Sequence, residues 1–451
     1  MKISGNTLVR GTVILTLTGL LSRMIGFFYR IFISKAFGEE GMGIFLLTSP
    51  VMALAFSLCC AGVQTSVSKF VASEPSTKDY KYSLKILLSS FCITLSLSAL
   101  FSFTVYSNAA LIADSILLES RTASMLRILA LSFPFSAVHC CVNGYYYGIK
   151  NAKVPAILQL TEQTFRVASV YLIYTYCLSN HQSPTINLVV VGVVIGEISS
   201  MTLSLLFIGG RFYRLTPMLF STSTTLQHHF GSTTVKKLFV MAAPLSMNRI
   251  VVNLLQSVEA VYIPNRLMAY GMTNAQALST YGVLTGMALS LILFPSTLTN
   301  SVSVLLLPVV SEAEETNNLK KISYAIRQSI TWCSVLGIFF TIIFLIFGRL
   351  AGRLLFNSTL AGEYIVGLCF ICPFLYITTT LGSILHGLGK TIHTFLINIG
   401  ALSIRIAFIF LLIPRIGING YIIGLLISEL FSTICCIFCL RRYRNINATQ
   451  G

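Results

Sequence analysis

The sequence predicts an all-α polytopic membrane protein with about twelve transmembrane helices, arranged as two six-helix parallel repeats around a central cavity. Three observations carry this. First, the 451 residues are 55% hydrophobic and 10% charged, with a mean hydropathy of +0.81, whereas soluble domains carry about 25% charged residues. Second, apolar runs of about 20 residues, the length that crosses a bilayer as a helix, recur along the whole chain. Third, polar and charged residues repeat at helical spacing inside those runs, which is the mark of helices lining a wet interior.

Taken in order, the spans are expected at 9–33, 43–70, 84–106, 124–148, 155–178, 187–208, 238–263, 279–310, 328–347, 364–386, 391–413 and 418–440. The first is read as a retained span rather than a cleaved signal peptide. Its apolar run from Thr12 to Leu21 meets Arg23, and no small-x-small cleavage site precedes it.

The net charge of +17 is distributed as a topology signal rather than a nucleic-acid footprint. With both termini cytoplasmic, most Lys and Arg fall inside, as in Lys69, Lys78, Lys81 and Lys85, in Arg211, Arg214, Lys236 and Lys237, and in Arg441, Arg442 and Arg444. Few fall outside, such as Lys35, Arg121 and Arg349. That bias is the positive-inside rule. It points to a multi-pass protein of the plasma membrane in contact with lipid, with no nucleic-acid partner.

The chain repeats itself. At an offset of 239, Gly43 matches Gly282, Pro134-Phe135 matches Pro373-Phe374, Gly148 matches Gly387 and Arg166 matches Arg405. At an offset of 228, Gly192 and Gly196 match Gly420 and Gly424. An even number of spans per half puts the halves in the same orientation. The expected organisation is a bundle at 1–208, a flexible cytoplasmic linker at 209–235, a second bundle at 236–444 and a polar tail at 445–451. Parallel halves of six helices also describe the major facilitator fold, but its acidic, arginine-rich Gly motif is not found in Ser68-Lys-Phe-Val-Ala-Ser-Glu74-Pro75.

Three polar faces define the candidate cavity. Gln159, Glu162, Gln163 and Arg166 share one face, Ser246, Arg249, Asn253, Gln256 and Glu259 nearly another, and Ser22, Arg23, Gly26 and Arg30 a third. Guanidiniums suit bidentate capture of a phosphate or pyrophosphate, so Arg23, Arg30, Arg166, Arg249 and Arg405 are the candidate substrate-binding residues. Glu162, Gln163, Asn253, Gln256 and Glu259 are the candidate cavity or coupling residues. The structural alternatives are that Arg30 snorkels to the outer interface, that Arg23 pairs with a carboxylate, and that Glu162 and Arg166 form an i,i+4 ion pair. Arg405 has Ala401 one turn earlier in place of a carboxylate, so Glu259 is its expected partner, in a pair between the halves.

Several patterns carry no chemistry. Gly387-Leu-Gly389-Lys390-Thr391 lacks the earlier glycine of a P-loop, since Ile384 stands there. Cys369-x-x-Cys372 and Cys435, Cys436 and Cys439 read as small packing residues in apolar segments, and His228-His229 lacks a third ligand nearby. The only aspartates, Asp79 and Asp114, lie in loops. No enzyme, cofactor or metal site is expected. Pro134, Pro373, Pro244 and Pro295 fall in apolar segments as static kinks or hinges.

The residues also carry a family resemblance. Ser22-Arg-Met-Ile-Gly-Phe-Phe-Tyr-Arg30, then Phe37-Gly-Glu-Glu-Gly-Met-Gly43 and Pro50, resemble the start of the stage V sporulation protein B family, part of the multidrug/oligosaccharidyl-lipid/polysaccharide (MOP) exporter superfamily. Asn143-Gly-Tyr-Tyr-Tyr-Gly148, Pro155 and Glu162-Gln-Thr-Phe-Arg166 resemble its fourth and fifth helices. Pro264-Asn-Arg-Leu267, Tyr281-Gly282, Leu284-Thr-Gly-Met-Ala288, Leu306-Leu-Pro308 and Ser311-Glu312-Ala313 resemble its seventh and eighth.

The resemblance implies a flippase-like transporter of lipid-linked pyrophosphate glycans, peptidoglycan or polysaccharide precursors, driven by an ion gradient or the membrane potential, with cell-wall synthesis proteins as partners. It matches Arg23 to a pyrophosphate-holding arginine of related lipid II flippases. Arg30 fits the sporulation family but stands one residue later than in those flippases. The family pattern has fourteen helices, and the last two, which in lipid II flippases help form a groove for the lipid tail, have no counterpart among the twelve spans. The alternatives are a cation-coupled multidrug exporter, which calls for a cavity dominated by acidic residues, and a non-transporting scaffold in cell-wall or spore assembly, which would not need polar helix faces. A membrane glycosyltransferase is disfavoured by short loops and the lack of an acidic pair.

Overall fold

The computed structural model describes residues 5–72, 80–221, 232–316 and 318–448, and all regular structure among them is helical. The helices of eight residues or more are α1 (Gly5–Leu47), α2 (Ser49–Phe56), α3 (Gly62–Ala72), α4 (Tyr80–Ser107), α5 (Thr122–Ala130), α6 (Phe133–Gly148), α7 (Lys153–Ser179) and α8 (Asn187–Ser221). They continue as α9 (Ser232–Ala269), α10 (Asn274–Tyr281), α11 (Ser296–Glu315), α12 (Leu319–Phe356), α13 (Thr359–Leu368), α14 (Cys372–Gly387), α15 (Thr391–Leu411) and α16 (Ile418–Ala448). π-Helical turns at Ser57–Ala61, Ile112–Ile116 and Gly282–Ala288 join several of them.

Among the described residues, nine stretches are long and apolar enough to cross a membrane, and ten when the bent pair α5–α6 is one span. The protein is thus a multi-pass membrane protein. The difference from twelve has two physical sources. Ile14–Ala72 is one apolar stretch of 59 residues; at about 1.5 Å per residue it is roughly three times the ~30 Å hydrocarbon thickness, room for both of the first two expected spans. Helix α7 is long enough to cross but carries Gln159, Glu162, Gln163 and Arg166 through its middle.

The chain forms two compact units: Met1–Ile25 with Leu47–Leu254, and Gly26–Leu46 with Leu255–Gly451. The division falls inside α1 and α9 rather than in the expected linker. Residues 209–221 continue α8 as helix, and residues 222–231, with His228-His229, lie outside the described residues. The expected polar tail is helical to Ala448.

The repeated residues sit where helices break or touch. Pro134 and Pro373 each stand in the first turn of a new helix, α6 and α14, after a short interruption. There the missing N–H costs no helical bond. The α5–α6 break bends the chain by 46°. Pro295 likewise precedes α11, whereas α9 runs through Pro244. Gly144 and Gly148 lay α6 on α3, where a Cβ at Gly144 would stand 2.7 Å from the Gln64 carbonyl oxygen. A core of Val67, Ile86, Leu87, Val142, Tyr145 and Leu158 closes around that contact.

In the second unit the repeat mates Gly43 and Gly282 touch directly. A Cβ on Gly282 would stand 2.6 Å from the Gly43 nitrogen. All twelve cysteines are free thiols, and Cys369 and Cys372 are buried in helical packing.

Candidate functional site

In the first unit, Gly192 and Gly196 let α8 approach α7 at backbone distance. A Cβ on Gly192 would stand 3.0 Å from the Arg166 carbonyl oxygen, and one on Gly196 2.9 Å from that of Glu162. This is the small-xxx-small packing of membrane helices. It delivers the next residue, Glu197, to the Arg166 side chain. Arg166 Nη2 donates to Glu162 Oε1 one turn earlier and lies 3.8 Å from Glu197 Oε1. His139 on α6 closes the group, with Nδ1 3.2 Å from Glu197 Oε2. His139 and Glu197 are each only 8% exposed. A buried charge in a membrane is costly unless paired, and here two carboxylates, a guanidinium and an imidazole balance one another.

These four side chains line a cavity of about 470 Å³ with Ser49, Met52, Phe56, Cys59, Cys60, Ser132 and Ser136. The donor atoms of His139, Glu162 and Glu197 lie within 4.8 Å of one another, close enough to share a metal ion.

The second unit holds a matching cluster around Arg405 on α15. Arg405 Nη2 donates to Glu429 Oε1 at 2.6 Å, its Nε donates to Ser428 Oγ at 2.8 Å, and its Nη1 lies 3.7 Å from Glu259 Oε1. The Tyr421 hydroxyl donates to Glu259. Gly420 and Gly424 again set the approach. A Cβ on Gly424 would stand 2.6 Å from Phe408 Cβ, in the turn after Arg405. The expected Arg405–Glu259 proximity is present, but both residues belong to one unit, so the pair does not run between halves.

The other candidates divide. Arg23 on α1 and Arg249 on α9 are exposed, Arg30 is half-buried, and none of the three makes an ion pair among the described residues. Asn253 is structural: its Nδ2 donates to the Ala53 carbonyl at 3.1 Å and to Ser57 Oγ, tying α9 to α2 and the turn that follows it. Gln163 is half-buried and Gln256 is exposed.

Sequence reasoning missed His139, Glu197, Glu429 and Tyr421. The available signal was an ionisable residue inside an apolar span, strongest for Glu197, which directly follows Gly196. Each clustered arginine faces two carboxylates, Arg166 with Glu162 and Glu197 and Arg405 with Glu259 and Glu429.

Three comparisons bear on this arrangement. The family described as "Polysaccharide biosynthesis protein" matches residues 8–314. Stage V sporulation protein B of Bacillus subtilis (strain 168) is 26% identical over 436 residues, covering 95% of this chain and 82% of that protein. Among solved structures, the lipid II flippase MurJ in an inward closed conformation superposes with a TM-score of 0.70 at 14% identity, over 95% of this chain and 87% of that one. An inward-facing MATE family multidrug resistance transporter of the MOP superfamily gives 0.69 at 17% identity, over 95% and 96%. At these identities the two structures establish a shared fold.

Proposed function

The chain belongs to the polysaccharide biosynthesis protein family; on that footing we propose that it is a membrane transporter of the MOP superfamily and flips a lipid-linked pyrophosphate glycan, a cell-wall or polysaccharide precursor, across the plasma membrane. The supporting observation is the division among the five arginines. Arg166 and Arg405 are neutralised by carboxylates, whereas Arg23, Arg30 and Arg249 form no ion pair among the described residues. An arginine at membrane depth without a carboxylate calls for an anion from elsewhere, and a pyrophosphate supplies one in bidentate geometry.

In this reading the two six-helix repeats, 1–208 and 236–444 with the 209–235 segment between them and both termini cytoplasmic, work by alternating access. The headgroup binds Arg23 and Arg249 of the first unit while the chain of the lipid stays in the bilayer. Arg166 and Arg405 hold the helix pairs α7–α8 and α15–α16 together.

The test is headgroup translocation in proteoliposomes loaded with a fluorescent polyprenyl-pyrophosphate glycan, comparing wild type with Arg23→Ala and with Arg23→Ala/Arg249→Ala. Flipping by wild type and its loss in the double variant is the expected result. Flipping undiminished in the double variant would sink the cationic-site reading. A second reading, a cation-coupled multidrug exporter, is favoured by one observation, the surplus of carboxylate over guanidinium in both clusters. It requires uptake of a lipophilic cation by the same proteoliposomes and no glycan flipping.

A further inference from the structure

His139 Nδ1 and Glu197 Oε2 stand 3.2 Å apart, yet neither atom completes a hydrogen bond, although both side chains are nine-tenths buried. At metal–ligand lengths of about 2.0–2.2 Å, the edge of a tetrahedral site is about 3.4 Å, close to that spacing. A carboxylate oxygen of Glu162 completes a set of three donors within 4.8 Å of one another, on the wall of the 470 Å³ cavity.

We propose that His139 Nδ1 and one oxygen each from Glu162 and Glu197 form a binding site for a divalent first-row transition ion, of the Zn²⁺ or Mn²⁺ kind. The donor set decides the class. Imidazole nitrogen with carboxylate oxygens suits Zn²⁺ and its neighbours, while hard cations such as Ca²⁺ and Mg²⁺ take oxygen alone. Three protein ligands leave a fourth position open to the cavity, which reaches Ser132 and Ser136.

Arg166 is the built-in competitor. Its guanidinium occupies Glu162 and lies 3.8 Å from Glu197. A dication and a guanidinium cannot share those two carboxylates without strong like-charge repulsion, so closing the three-donor set requires Glu162 to leave Arg166. Removing the guanidinium should therefore strengthen metal binding, an outcome that an ion-pair network without a metal role does not produce.

The experiment uses full-length protein without a histidine tag, purified in detergent and stripped with chelator. Zn²⁺ is titrated by calorimetry and Co²⁺ by visible absorption, on wild type, Arg166→Gln, His139→Asn and Glu197→Gln. The apo melting temperature is recorded for each to confirm folding. One equivalent is expected to bind. Arg166→Gln should tighten it by about tenfold or more, which is about 1.4 kcal/mol. His139→Asn should weaken it by more than about 100-fold, beyond the cost of losing an outer-shell partner. If neither wild type nor folded Arg166→Gln takes up metal, the site does not exist. If uptake is the same in His139→Asn, the ion sits elsewhere, and the proposal fails equally. Neither result touches the flippase reading, which the translocation assay tests separately.

Discussion

Arg405 Nη2 donates to Glu429 Oε1 at 2.6 Å across α15 and α16, and the Glu429 side chain is 7% exposed. Removing one partner of such a pair leaves an uncompensated buried charge. Glu429→Gln should destabilise the protein by about 3 kcal/mol, the lower end of the range for breaking a buried pair because Glu259 remains nearby. Arg405→Met, which strands two carboxylates, should cost more. Lys321→Met is the control. Its pair with Glu312 spans 3.5 Å with side chains 42% and 70% exposed, so its effect should stay within about 1 kcal/mol. Unfolding midpoints in one detergent would give the ranking, and equal losses for Glu429→Gln and Lys321→Met would refute it.

Much of this was legible in the chain because some residue types have few uses in lipid. Pro134 and Pro373 mark helix breaks, and the spaced glycine pairs mark close approaches. The absence of a carboxylate at Ala401 pointed Arg405 to Glu259, which does lie 3.7 Å from it, but within one unit and farther than Glu429 at 2.6 Å. The His139–Glu197 contact and the Arg405–Glu429 bond were not legible. Helical periodicity assigns a face to each residue but does not say which helix lies opposite it. The split of α1 between two units, at Ile25 and Gly26, was hidden for a related reason: it falls within an unbroken helical and largely apolar run, so composition carries no trace of the division.

The glycine pairs give a second prediction. Gly196→Ala places a Cβ 2.9 Å from the Glu162 carbonyl oxygen, and backbone must move to admit it. The cost should be about 1–3 kcal/mol, as for overpacked cores. Gly209 lies in the same helix with nothing within 4 Å of its added Cβ. Gly209→Ala should therefore be neutral, or stabilising by up to about 1 kcal/mol through helix propensity. Melting curves of the two variants should move in opposite directions or differ by several degrees. Coincident curves would mean that α7 and α8 are not in close contact.

The arginines should separate by phenotype. Arg23→Gln and Arg249→Gln break no ion pair among the described residues, so stability should change by no more than about 0.5 kcal/mol. If each makes one charge-assisted hydrogen bond to the headgroup, worth about 1.5–3 kcal/mol, translocation should fall by about 10- to 100-fold. Arg166→Gln should do the reverse in kind, lowering the unfolding midpoint by stranding Glu162 and Glu197. A purely structural role for Arg23 would show as lost stability and lost flipping together.

Gly38 carries the last prediction. Its φ of 73° and ψ of −176° lie in a region reached almost only by glycine, at the kink inside α1. No atom stands within 4 Å of its added Cβ, so a substitution there meets backbone strain and no steric clash. The kink has a clear use. The next residue, Glu39, accepts from Ser279 Oγ at 2.7 Å and also from Ser358 Oγ, which in turn caps α13 by accepting from the Ala361 N–H at 3.0 Å. Straightening α1 would withdraw Glu39 from both hydroxyls. Gly38→Ala should cost about 1–3 kcal/mol from the strained backbone alone. Glu39→Gln should cost less, because the amide oxygen still accepts one hydroxyl. In a double-mutant cycle the two losses should fall short of additive, since Gly38→Ala already loosens what Glu39→Gln removes. Additive losses would mean that the kink and the Glu39 bonds are independent.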